Sequence, residues 1–172
     1  NALAALTVAA AIGVPPENAI PALERLTTLG AGRMEMLSAP DDVIVIDDAI
    51  NSTPQSTAAA LKALAQVSAG RRSVAVLGEL TLDGEDEREA HDRIGRLIVR
   101  LNVKKLIVVG HSARHIHNAA GLEGSWDGES VLVDTPGQAY DLLRDELRRQ
   151  DIVLVKGAGL DALAQRLTGV AS

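Results

Sequence analysis

Apolar residues along this chain fall into two rhythms. From residue 2 to residue 27 they read as helix. Ala2–Ile12 is an alanine-rich apolar run with Asn1 placed to cap it. Gly13 stops that run, and the Pro15–Pro16 pair suits the first turn of a second helix, Pro16–Thr27, with Ile20, Leu23 and Leu26 at helical spacing. A helix–Gly–Pro–helix unit has no sheet of its own, so it is not expected to bury its apolar faces alone.

After Leu29-Gly-Ala-Gly-Arg33 the rhythm changes to short Val/Ile/Leu runs alternating with longer amphipathic stretches. Strands are expected at Met34–Leu37, Val43–Asp47, Ser73–Leu77, Lys105–Val109, Ser130–Val133 and Asp151–Val155. Helices are expected at Pro54–Val67, Glu85–Arg100, Ser112–Ala120, Pro136–Arg148 and Leu160–Leu167. The turn Ala39-Pro40-Asp41-Asp42 suits an antiparallel hairpin between the first two strands. Continuous rather than alternating strands mark a parallel sheet covered by helices on both faces. Right-handed crossovers then give an α/β fold: a Rossmann-like, doubly wound, mostly parallel sheet with an antiparallel edge hairpin, preceded by a short helical segment.

Composition narrows the partners. The chain has 172 residues, 47% of them hydrophobic, enough for a sizeable core. With no Phe, one Trp and one Tyr, that core must be aliphatic. The absence of Cys excludes a disulfide framework and thiolate chemistry. A net charge of -6 and 1% aromatics speak against nucleic acid as a partner. No apolar run approaches the roughly 20 residues that span a bilayer, so no membrane insertion is expected. No basic stretch opens the chain as in a signal peptide, and a cytoplasmic monomer is the expectation.

In a doubly wound sheet the ligand crevice lies beyond the C-terminal ends of the strands. The residues there are Asp47-Asp48-Ala49-Ile50-Asn51, Gly78-Glu79, Gly110-His111-Ser112, Asp134-Thr135 and Lys156-Gly157. Several familiar chemistries fail on them. Ser112 sits at a strand-to-helix turn, but Arg114 replaces the second glycine of a nucleophile elbow, and only His115 and His117 follow. Gly157-Ala-Gly-Leu-Asp-Ala162 fits a dinucleotide fingerprint, but at the last βα turn, with no room for the ribose-binding acid that should follow. His111, His115 and His117 cluster without an intervening carboxylate base, so no metal site is assigned. A phospho-receiver module would need an acceptor Asp after its third strand, where Glu79 or Gly110-His111 stands.

What survives is an ordered set of short motifs. It runs Gly32-Arg33-Met34-Glu35, Asp47-Asp48-Ala-Ile-Asn-Ser-Thr-Pro54-Gln-Ser56, Ala75-Val-Leu-Gly-Glu79-Leu, Gly84-Glu85-Asp86, His91-Asp-Arg-Ile-Gly95, Val109-Gly110 and Asp151-Ile-Val-Leu-Val-Lys-Gly157. In this order and spacing the chain resembles the C-terminal part of the Mur ligases, and within that family the branch that adds D-Ala-D-Ala to UDP-N-acetylmuramoyl-tripeptide (UDP-MurNAc-tripeptide). The resemblance covers nearly the whole chain. It implies that residues 1–32 are the last helices of an incomplete central ATPase domain and residues 33–172 a complete C-terminal domain.

The resemblance also implies the chemistry. ATP phosphorylates the tripeptide carboxylate, and the dipeptide amine attacks the acyl phosphate to form an amide in peptidoglycan precursor synthesis. Magnesium and the phosphate-binding lysine of this reaction belong mainly to the central domain. No G-x-x-x-x-G-K-[ST] loop occurs here, so no catalytic residue is assigned and the isolated chain is expected to be inactive. On this resemblance Arg33 reaches ATP phosphates, Asp48 holds ribose hydroxyls and Asn51 lies beside the nucleotide. Glu79, His91 and Lys156 match motif positions on the dipeptide side, Lys156 suiting a substrate carboxylate and Glu79 the amine. The sequence departs from the family pattern at Ile50, where a tyrosine is usual, at Thr53, Thr57 and Ala158. A stand-alone nucleotide-binding or signalling module of the same fold is the alternative.

Overall fold

The structure, a computed structural model, describes residues 2–25, 30 and 32–169. It divides into two compact units, residues 1–30 and 31–172. The first holds α1 (Ala2–Ala11) and α2 (Pro16–Glu24). Helix α1 has no buried residue, and Leu3, Val8 and Ile12 are exposed. In α2 only Ala19 is buried, and Ile20, expected on an inward face, is exposed. The Asn1 cap, Leu26 and Thr27 lie outside the described residues.

The second unit carries a six-stranded sheet in the order β1-β2-β6-β3-β4-β5. Its strands are β1 (Glu35–Ala39), β2 (Val43–Asp47), β3 (Ser73–Leu77), β4 (Lys105–Val109), β5 (Glu129–Val133) and β6 (Ile152–Lys156). Strands β1 and β2 pair antiparallel, and every other pairing is parallel. The helices are α3 (Pro54–Ser68), α4 (Glu87–Arg100), α5 (Arg114–Gly121), α6 (Pro136–Glu146) and α7 (Leu163–Thr168). The chain steps from β2 to β3, β4 and β5 in one direction, then returns to insert β6 between β2 and β3. That reversal puts α3, α4 and α5 on one face and α6 and α7 on the other.

Strand periodicity divides the core accordingly. Ala75, Leu77, Ile152 and Leu154 pack with Leu61, Leu64, Ile94, Ile98 and Ile116 on the first face. Val74, Val76, Val153 and Val155 pack with Ala139, Leu143, Leu163 and Ala164 on the second. Both sets are needed because a parallel strand buries both faces, which is why its sequence is a continuous apolar run.

Local chemistry explains where the ends fall. Asp86 caps α4, its carboxylate accepting the Glu89 N–H at 2.8 Å, so the helix starts two residues later than the sequence pattern suggests. Thr135 and Gln138 form a reciprocal capping box at α6. Helix α7 shortens because Gly157–Ala162 forms turns before it. Strand β5 is one edge of the sheet and stays partly exposed. Within the His91-x-x-x-Gly95 motif the glycine is a packing residue. A Cβ on Gly95 would fall 2.5 Å from the Ile116 carbonyl oxygen, so only glycine lets α4 and α5 approach this closely.

Buried charges sit at the sheet ends. At the N-terminal edge, buried Lys105 pairs with Glu129 at 2.5 Å and with Glu146, and Arg72 pairs with buried Asp151 at 2.7 Å. The single tryptophan, Trp126, donates its indole N–H to the Val103 carbonyl at 2.9 Å near the same end. Among the described residues no helix is long and apolar enough to cross a membrane.

Candidate functional site

The C-terminal edge of the sheet gathers most of the residues singled out above. Strand β2 ends at Asp47, whose buried carboxylate accepts the Ala49 N–H at 3.2 Å. Burial pushes the Asp47 carboxyl above its ordinary value of 3.8; the Ala49 N–H works against this, and neighbouring Glu35, Asp161 and Asp48 add to it. Asp48 continues the parallel ladder by donating its N–H to the Val155 carbonyl at 2.9 Å. The chain then turns through Asn51, at a left-handed φ of +60°, before α3 begins. Thr53 caps α3, accepting the Ser56 N–H at 3.2 Å, and Pro54 opens the first turn with its fixed φ.

Three segments converge on this turn. Lys156, at the end of β6, donates from Nζ to Asp48 Oδ2 at 2.6 Å, to the Asp48 carbonyl at 3.1 Å and to the Asn51 carbonyl at 3.2 Å. Its side chain is 1% exposed, and that of Asp48 12%. Met34, itself at a φ of +49°, donates its N–H to Asp48 Oδ1 at 3.1 Å. Ile50 donates its N–H to the Gly32 carbonyl at 3.2 Å. A Cβ on Gly32 would come within 3.1 Å of Ile50 Cγ1, so the glycine lets this segment lie flat on the loop. The loop after β3 joins through the Thr81 N–H, which donates to the Ser52 carbonyl at 2.9 Å.

Beside this cluster the ends of β3 and β6 touch. The Gly78 N–H donates to the Lys156 carbonyl at 2.9 Å, and Glu79 forms an isolated bridge with Ala158. A Cβ on Gly157 would fall 2.3 Å from the Gly78 nitrogen, so backbone closes the gap where a doubly wound sheet usually opens a crevice. Two surface grooves among the described residues lie elsewhere. One of about 430 Å³ runs along α3 and α4 and another of about 740 Å³ along α4 and α5, and none of the expected site residues lines either.

The structure thus joins Asp48, Asn51 and Lys156 directly and places Arg33 next to Met34 of the same cluster. Arg33, Asn51 and Glu79 are exposed. His91 stands apart, fully buried on α4, with Nδ1 bonded to the Glu87 carbonyl at 2.7 Å. A carbonyl only accepts, so Nδ1 carries the proton; Nε2 is buried with no partner among the described residues. His111 is exposed, and His117 Nδ1 bonds Ser130 Oγ at 2.7 Å. Among the described residues no three His, Asp or Glu side chains converge as metal ligands would.

Two contributors to the cluster carry no site role in the sequence reading. The Thr53-Pro54 pair is a readable helix start. The Met34 N–H has no readable signal, because its role depends on a positive φ.

Comparison with known proteins places this geometry. The family model described as "Mur ligase, glutamate ligase domain" matches residues 32–159. A UDP-N-acetylmuramoyl-tripeptide–D-alanyl-D-alanine ligase of Mycobacterium leprae is 43% identical over 98% of this chain and 36% of its own length. One of Mycobacterium tuberculosis strain H37Rv is 44% identical over 97% of this chain and 37% of its own length. The chain therefore spans little more than a third of the curated relatives it matches. Among solved structures, MurF from Acinetobacter baumannii superposes with a TM-score of 0.78 at 24% identity, covering 98% of this chain and 37% of that one. MurF ligase from Thermotoga maritima in complex with ADP gives 0.72 at 22% identity, covering 92% and 34%. These two likenesses are of fold.

Proposed function

The chain belongs to the Mur ligase family, as a C-terminal domain of the MurF type, and from that premise we propose that it closes over ATP and the incoming dipeptide while the full-length protein joins D-Ala-D-Ala to UDP-MurNAc-tripeptide. The observation that carries this reading is the Asp48 cluster, a largely buried carboxylate whose side chain keeps 12% of its surface exposed, set in a hydrogen-bonded loop on the rim of the sheet.

The residues fit a nucleotide. Asp48 accepts one hydrogen bond on each oxygen inside the chain, which leaves each a lone pair for one of two vicinal ribose hydroxyls. Arg33 presents a planar fork of donors suited to phosphate oxygens. Asn51 supplies an exposed amide beside them. Glu79 stands on the neighbouring strand end, where a carboxylate suits the dipeptide amine. When bound, ATP supplies the phosphoryl group that activates the tripeptide carboxylate.

Among the described residues no three His, Asp or Glu side chains converge as metal ligands, and we place magnesium mainly on the part of the ligase outside this chain. The backbone contact between Gly78 and Gly157 closes the gap between β3 and β6, which suits a domain that supplies one wall of a shared site. A cytoplasmic setting follows from the nucleotide-linked substrates.

The test is phosphate release by full-length protein carrying this segment, given ATP, magnesium, UDP-MurNAc-tripeptide and D-Ala-D-Ala. Release that requires the dipeptide supports the reading; absence of release ends it. The isolated chain is expected to release none.

A further inference from the structure

We propose that Lys156 is a positioning residue for the nucleotide, one that holds the Asp48 carboxylate and the Asn51 turn from beneath rather than touching the dipeptide. The proposal rests on the reading of Asp48 as the ribose ligand.

An ammonium has three protons. Those of Lys156 face three acceptors within 3.2 Å, namely Asp48 Oδ2, the Asp48 carbonyl and the Asn51 carbonyl. With the side chain 1% exposed, no donor remains to meet a substrate carboxylate. To reach one, Lys156 would have to leave a largely buried carboxylate and two carbonyls, each costly to strand without a partner.

What the lysine does instead follows from the groups it holds. It lies on one side of the Asp48 carboxylate and the Met34 N–H on the other, which fixes the plane of the group. Both oxygens keep a lone pair, so the fixed plane presents two acceptors at a set spacing. The same ammonium, together with the Ser56 hydroxyl, bonds the carbonyl of Asn51. That residue holds a left-handed conformation, which asparagine adopts more readily than most non-glycine residues and which these two bonds help to fix here. Lys156 therefore sets both the ribose ligand and the turn that follows it.

The experiment uses the full-length ligase and compares Lys156→Met, Asp48→Asn and the double variant. For each, KM is measured for ATP, for deoxy-ATP lacking the ribose 2′-hydroxyl, and for D-Ala-D-Ala. Lys156→Met should raise KM for ATP about tenfold or more, the scale of one charge-assisted hydrogen bond. It should also erase the preference for ATP over deoxy-ATP, with KM for the dipeptide within about twofold of the parent. The double variant should be no worse for ATP than Asp48→Asn alone, because both act through one group.

A rise confined to the dipeptide KM, with the preference for ATP intact, overturns the proposal. So does additivity in the double variant. If Asp48→Asn itself leaves that preference unchanged, the ribose reading fails, and the proposal fails with it, at a separately visible step. Should Lys156→Met not fold, Lys156→Arg serves. It keeps the charge but changes the reach, and should raise KM for ATP while sparing that for the dipeptide; the reverse split overturns the assignment.

Discussion

The sheet buries a lysine at each end, and the two are built differently. Lys105, at the N-terminal edge, pairs with Glu129 and Glu146, whose side chains are 61% and 40% exposed. Lys156, at the C-terminal edge, pairs with an Asp48 that is 12% exposed and with two backbone carbonyls. At the first edge only the cation is withdrawn from water, and its partners stay hydrated. At the second the cation and its carboxylate are both largely withdrawn from water, and one lysine bonds three acceptors of a single turn. The first arrangement anchors a surface; the second fixes a site.

That contrast has measurable consequences. The largest should come from Lys156→Met, which leaves a buried carboxylate unpaired. A loss of about 3–5 kcal/mol in urea unfolding is expected, with Asp48→Asn in the same chain recovering part of it. Gly157→Ala should cost about 1–3 kcal/mol by the same measurement, because the new Cβ meets the Gly78 backbone. Lys105→Met should cost at most about 1 kcal/mol, since Glu129 and Glu146 can turn to solvent. A cost as large as that of Lys156→Met would erase the distinction between the edges.

Finer tests use titration. The hydrogen bond from Lys105 holds the Glu129 carboxyl below its ordinary value, with the charge of Lys105 acting the same way. Its contribution is present above the ordinary carboxylate range and is lost as pH falls through the folded value. In Lys105→Met, an NMR titration should find Glu129 back at its ordinary value. Asp47 runs the other way. Burial raises its carboxyl, so the folded state binds the proton more tightly and stability declines as pH rises from about 3.8 through the raised value. Asp47→Asn, which keeps the acceptor for the Ala49 N–H, should remove that decline and raise the urea midpoint slightly at neutral pH.

Much of the fold was legible because its cause is local. Val/Ile/Leu runs such as Ser73–Leu77 and Lys105–Val109 can only be strands buried on both faces, and their bounds agree to the residue. Helix starts were less legible where a cap moved them, as Asp86 does for α4. The insertion of β6 between β2 and β3 has no sequence signal, yet it is what brings Lys156 to Asp48 across 108 positions. Hence the positions of the motif residues could be read, but which of them touch could not. Gly95 shows the same limit, since its necessity lies in Ile116 of another helix.

The meeting of Gly78 and Gly157 also constrains what this domain can become. Gly157 cannot gain a side chain while the Gly78 backbone stays in place, and a Cβ on Gly78 would press on the Ala158 carbonyl at 3.1 Å and on Gly157 at 3.2 Å. No single substitution there converts the seam into a cavity; it only drives a wedge into it. A descendant that bound a ligand inside the sheet would first need β6 to slip its register against β3, and a slip of one residue moves every side chain of the strand from one core to the other at once. The seam is therefore a ratchet: it confines further adaptation to the loops on either side of it.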